Sequence, residues 1–215
     1  MSLLRNLGLP GVLALVALSV SAASLVVIFS DRPPANDSAE AGFARDMIVH
    51  HAQAVEMAEI VRDRTEDQQV ETLATDIVLT QQGQIGQMQG WLSVWGLSQG
   101  RPGPAMEWMG HPTRGPMPGM ASAEEINVLR EAPPEETDEQ FLRLMIPHHQ
   151  AAVPMAEAVI EQTDDEEVAR FAETVDESQT IEIELMQQML RDRDLPEVEG
   201  EVTMDHDEHD HEDHH

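Results

Sequence analysis

The sequence predicts an all-α protein: a four-helix bundle made of two repeated helical hairpins, preceded by an apolar segment able to cross a membrane. Three observations carry this reading. First, Phe43–Glu59 (FARDMIVHHAQAVEMAE) recurs as Phe141–Glu157 (FLRLMIPHHQAAVPMAE), 98 residues later. The offset persists without a gap through Val70/Val168, Ala74/Ala172, Gln81/Gln179, Ile85/Ile183, Met88/Met186 and Leu92/Leu190, so the duplicated unit is a pair of segments. Second, at 100° per residue, Phe43, Met47, His50, His51, Ala54, Met57, Ala58 and Val61 form one broad stripe, with Arg45, Glu56, Glu59 and Asp63 opposite. Third, neither pair can bury its stripe alone, and packing the two pairs together is the simplest solution.

The elements follow in order. Residues 1–8 are a short cytoplasmic flank carrying Arg5. Residues 9–29 are apolar apart from a few serines and nearly match the roughly 20 residues that a bilayer core requires. Ser21-Ala22-Ala23 could be cut by a signal peptidase, but the apolar run continues to Phe29, which fits an uncleaved anchor better. Either way the basic flank puts the rest of the chain outside the cytoplasm. Residues 30–38, with Pro33-Pro34, read as a linker. The bundle is expected over residues 39–195, with repeats at 39–97 and 137–195.

The second helix should cover about Gln68–Trp95, ended by Gly96. Its Gly83, Gly86 and Gly90 are either points of close helix approach or weak points costing about 1 kcal/mol each against Ala. Residues 98–121 form a Gly/Pro-rich loop holding Met106, Met109, His111, Met117 and Met120. Ser122 and Glu125 form a capping box for a short helix over about Ala123–Glu131, which Pro133-Pro134 should end. The third long helix should start near Thr137 or Asp138 and bend at Pro147 and Pro154, beside its histidine pair. The fourth spans about Asp165–Arg193. Residues 196–215 are an acidic tail, too polar to fold alone.

Composition narrows the function. A net charge of −29, with no Lys, excludes a nucleic-acid-binding surface and attracts cations. Without Cys there is no disulfide or thiolate site, yet Met is abundant at 13. Thioether is a soft donor and imidazole an intermediate one, a mixture suited to Cu(I) and by extension Ag(I). Neither needs deprotonation by a base at neutral pH, and Met forms no disulfides in an oxidising exterior. Met-x-x-His-His-x5-Met on a helix sets sulfur and nitrogen donors along one face. The bland alternative is that the methionines are core filler and the histidines cap an interior. Repetition of the same His and Met set in both halves favours metal. The loop is either an irregular linker or a second soft-metal site. The tail histidines His206, His209, His211, His214 and His215 either belong to a solvated charge run or hold Cu(II), Zn(II) or Ni(II) loosely.

The doubled motif, MIVHH at Met47–His51 and MIPHH at Met145–His149, with Met57, Met155 and Gln81…Met88…Leu92, resembles the domain of unknown function family numbered 305 over about Ala39–Leu195. The resemblance implies a ferritin-like, extracytoplasmic four-helix domain, some of whose relatives are associated with copper or silver. Carried over by residue, it implies donors at His50, His51 and Met57, at His148, His149 and Met155, then at Met47 and Met145. Val49 against Pro147, and Glu56 against Pro154, depart from strict repetition. A di-iron oxidase is disfavoured, because the residues three before the histidines are Met47, Ile48, Met145 and Ile146 rather than Glu. No hydrolase or phosphate-loop motif is present. The expectation is a non-catalytic copper carrier on the membrane, with a metal-transfer or membrane-complex partner. The alternative is a tethered interaction module using Trp91, Trp95 and Trp108 as a contact patch.

Overall fold

The structure is a computed structural model that describes residues 33–200. The predicted membrane segment and the tail histidines lie outside them. Among the described residues there are four long α-helices, one short α-helix, a single 3-10 turn at Glu107–Met109 and no strand: α1 (Ala39–Arg62), α2 (Gln68–Val94), α3 (Ala123–Glu131), α4 (Pro134–Gln162) and α5 (Glu166–Arg191). None of these is long and apolar enough to cross a membrane.

Side-chain caps set most of the helix starts. Ser38 Oγ accepts from the Ala41 N–H, Asp67 from Gln69, and Asp165 from both Glu167 and Val168. The capping box at Ser122 and Glu125 is complete in both directions. At the end of α2, Gly96 is left-handed (φ +71°) and Leu97 N–H returns to the Leu92 carbonyl, a closure that a glycine makes without strain. One boundary differs from expectation. Pro134 does not merely stop α3; it is the first residue of α4, where its missing N–H costs nothing. Thr137, expected at the start, is already inside the first turn, with Oγ1 donating to the Pro133 carbonyl (2.9 Å). The helix then runs unbroken through Pro147 and Pro154 to Gln162.

α1 packs along α2, α4 along α5, and α1 against α4 joins the two hairpins. The core has two apolar halves. In one lie Met57, Ile77, Phe141, Met145, Met186 and Leu190; in the other, Phe43, Met47, Met88, Met155, Phe171 and Val175. Each long helix contributes one end to each half, and its middle carries buried polar residues. The close-approach reading of the α2 glycines fails. A Cβ at Gly83, Gly86 or Gly90 would meet nothing within 4 Å. Trp91 and Trp95 stack (centroids 5.9 Å), and Trp91 meets the edge of Phe171, so these rings close one end of the bundle.

Candidate metal centre

The buried polar layer is where the four predicted imidazoles meet. His50 and His51 come from the middle of α1, and His148 and His149 from the middle of α4; all are buried. The rings of His50 and His148 lie 3.8 Å apart between centroids and are tilted by 35°; those of His148 and His149 lie 6.2 Å apart. Both ring nitrogens of His50, His51 and His148, and Nδ1 of His149, have no hydrogen-bond partner. Such groups are costly to bury unless something else occupies their lone pairs.

Burial also fixes their charge. Desolvation, reinforced by the neighbouring imidazole His149, lowers the pKa of His50 from its ordinary 6.5 to about 4. Desolvation, with His50 and His149 adding to it, lowers His51 to about 3. The same causes hold His148 well below its ordinary value. The Pro118 carbonyl faces His50 and the Gln84 side chain faces His51, opposing these shifts in part, but neither completes a hydrogen bond to a ring nitrogen. These three rings therefore stay neutral, with lone pairs available, well below pH 7.

The methionines bracket this layer. Met47 and Met155 are buried on one side of it, and Met57 and Met145 on the other, because α1 and α4 run antiparallel. Met155 is fully buried despite the neighbouring Pro154. Of the loop methionines, Met106 and Met117 are buried in the same half as Met47, Met88 and Met155. Met109 and Met120 pack against that half while partly exposed, and His111 is partly exposed.

The loop is held in place rather than trailing. The buried Asp46 carboxylate accepts from Arg101 Nη1 (2.8 Å), the Met106 N–H (2.7 Å) and Trp108 Nε1 (3.0 Å). The Gln53 amide pairs both ways with the Ala121 backbone (2.8 and 2.7 Å). Gly119, at φ +72°, presses so closely on α4 that an added Cβ would come within 2.4 Å of the Pro147 carbonyl oxygen. The end of the loop thus covers the turn that carries His148.

The sequence reading missed the other half of the polar layer, supplied by α2 and α5. Gln81 and Gln179 are buried repeat mates with unsatisfied amide atoms. Gln84 and Glu182 are a second pair at the same offset. Gln84 faces His51, while the Glu182 carboxylate bonds His149 Nε2 at 2.7 Å. The recurrence of Gln81 as Gln179 was a usable signal. Glu182 was hidden because it reaches its histidine from another helix. Among the described residues, no three His, Asp or Glu side chains gather into a group that could hold an ion.

Similar proteins share this architecture. The "putative secreted protein DUF305" of Streptomyces coelicolor is 44% identical, with a TM-score of 0.73 over 77% of this chain and 100% of that one. CopM in its Cu(II)-bound form is 31% identical, with a TM-score of 0.58 over 73% of this chain and 97% of that one. CopM has also been solved with Cu(I) and with silver. The uncharacterized protein L153 of Acanthamoeba polyphaga mimivirus is 39% identical over 46 residues, and the match spans 30% of its length and 21% of this chain. The family model described as domain of unknown function DUF305 matches residues 40–190, the whole span from the first turn of α1 to the last of α5, and the chain belongs to that family.

Proposed function

We propose that this protein carries Cu(I), and Ag(I) where present, as cargo outside the cytoplasm, buffering it, sequestering it or handing it on without catalysis. One observation carries the reading: four buried imidazoles, nearly all without hydrogen-bond partners, lie between two clusters of buried methionines. Neutral imidazole and thioether are the donors that a soft monovalent ion prefers. The copper- and silver-bound forms of CopM support the same chemistry. His50, His51, His148 and His149 supply nitrogen, and Met47, Met57, Met145 and Met155 supply sulfur. Met106, Met109, His111, Met117 and Met120 form a capture path above them, and the tail histidines scavenge more weakly. The helix arrangement is ferritin-like, but none of its paired histidines has a Glu three residues before it on the same helix, the spacing that a di-iron centre uses. The apolar residues 9–29 tether the bundle to the membrane, from which it delivers metal to a transfer or membrane-complex partner.

The test is titration of the full chain with Cu(I) against a competing chromophoric chelator. It is repeated with His50, His51, His148 and His149 changed to Ala. A loss of 100-fold or more in affinity is expected. Near-equal affinity in the variant would leave a tethered interaction module as the better account. Fractionation of cells by membrane association tests the tether separately.

A further inference from the structure

The geometry points to Glu182 as the positioning residue that fixes the tautomer of His149, so that this ring presents Nδ1, and not Nε2, to the interior. The inference rests on the metal-carrier reading only for its consequence; the tautomer itself is a property of the metal-free protein.

A carboxylate accepts hydrogen bonds and cannot donate them, so the nitrogen facing it carries the proton. Glu182 Oε2 lies 2.7 Å from His149 Nε2. In the neutral ring the proton then sits on Nε2, and Nδ1 keeps its lone pair. Nδ1 is buried and has no partner. The Glu182 side chain is 15% exposed and opens into a cleft between α2 and α5 beside Asp76 and Met189.

The repeat mate shows what this arrangement adds. The related cleft at the other end of the same helix pair holds Gln84, with Glu167 and Arg170. Gln84 faces His51, but both His51 nitrogens remain unbonded. An amide offers both a donor and an acceptor, so it dictates neither tautomer. At this position of the polar layer the two halves therefore differ, and of His51 and His149 only His149 is pre-set as a ligand. An imidazole whose outer N–H is held by a carboxylate is also the more basic donor, and losing such a partner typically weakens metal affinity by about 10–100-fold.

Two measurements on the full chain test this. Long-range proton–nitrogen correlation spectra of the metal-free protein should show His149 as the Nε2–H tautomer, with that signature lost in Glu182→Gln. An Nδ1–H tautomer in the wild type, or no change in the variant, overturns the inference. Cu(I) competition titration should then show Glu182→Gln about tenfold or more weaker at unchanged helicity, with affinity recovered when Gln84→Glu supplies a carboxylate to His51. Unchanged affinity in Glu182→Gln overturns the positioning role. If Glu182→Gln does not fold, the wild-type tautomer alone decides the inference. A wild-type chain that shows the tautomer but binds no Cu(I) refutes the carrier reading and leaves the tautomer assignment standing.

Discussion

The two repeats share a backbone plan and divide the work. In the first, α1 carries Asp46 and Gln53, which bind the methionine loop. The repeat mates of these residues are Leu144 and Ala151, whose apolar side chains make no such hydrogen bonds, although Ala151 lies against Gly119 of the loop. In the second, α5 carries Glu182, which holds His149, where α2 has the neutral Gln84. Val49 and Glu56 face outward, Glu56 pairing with Arg130 on α3, so the replacements by Pro147 and Pro154 leave the inward stripe intact. Duplication keeps the residues that make the shared interior, and divergence is concentrated where a side chain must serve only one half.

Acid should have the largest effect, and it acts on both halves, because His148 as well as His50 and His51 is held below its ordinary value. His50 and His51 have folded-state pKa values of about 4 and 3, below the ordinary 6.5. Between those values and 6.5 the unfolded chain binds protons that the folded chain does not, so stability falls as pH falls through that window. The loss between pH 7 and pH 5 is about 2 kcal/mol for each of these rings. Thermal melts of the metal-free protein at both pH values measure it. Gln84→Glu should shrink the loss, because a carboxylate beside His51 makes its protonated form less costly to bury. An apo protein equally stable at pH 7 and pH 5 would show that the layer is hydrated rather than dry.

The loop anchor comes next. Asp46→Asn removes charge from three hydrogen bonds made by a buried carboxylate, at a cost of about 2–3 kcal/mol in chemical denaturation. Residues 98–121 should also become more readily cleaved by protease. Its mate Leu144 is only partly buried, so Leu144→Ala should cost less and leave the loop protected.

Exchanging the halves sharpens the metal argument. His148→Ala with His149→Ala should weaken Cu(I) binding about tenfold more than His50→Ala with His51→Ala, since only the second pair includes a ring held by a carboxylate. Equal losses would mean that the two pairs contribute alike.

Much of this plan was legible in the sequence because it depends on short-range rules. The 98-residue offset, the helical stripe and the Ser122–Glu125 box each follow from spacing alone, and all three are present in the fold, except that Arg45, expected on the outward face, is buried where it bonds Asn36 and the Ser98 carbonyl. The pairing of Met47 with Met155, and of Met57 with Met145, needed the antiparallel crossing of α1 and α4, which spacing does not encode. Asp46 and Glu182 were missed for a related reason. Each acts on a distant segment, and on its own helix each reads as an ordinary acidic residue in a chain with 41 of them. Pro134 was misread because a proline that ends one helix and a proline that opens the next look alike until the turn between them is known.

The smallest expected effect lies in α2. Gly83, Gly86 and Gly90 stand where α5 has Ile181, Glu184 and Gln188. All three glycines are exposed, and a Cβ at any of them would meet open space. Glycine within a helix costs about 1 kcal/mol relative to Ala through backbone entropy. Each Gly→Ala change should therefore raise stability by about 0.5–1 kcal/mol, read from the denaturation midpoint, and the three should be nearly additive because they touch nothing in common. Unaltered Cu(I) affinity in the triple variant would mark these glycines as local weak points of the first repeat. A drop in affinity would instead mean that the site needs α2 to flex, and the two repeats would then differ in mobility as well as in side chains.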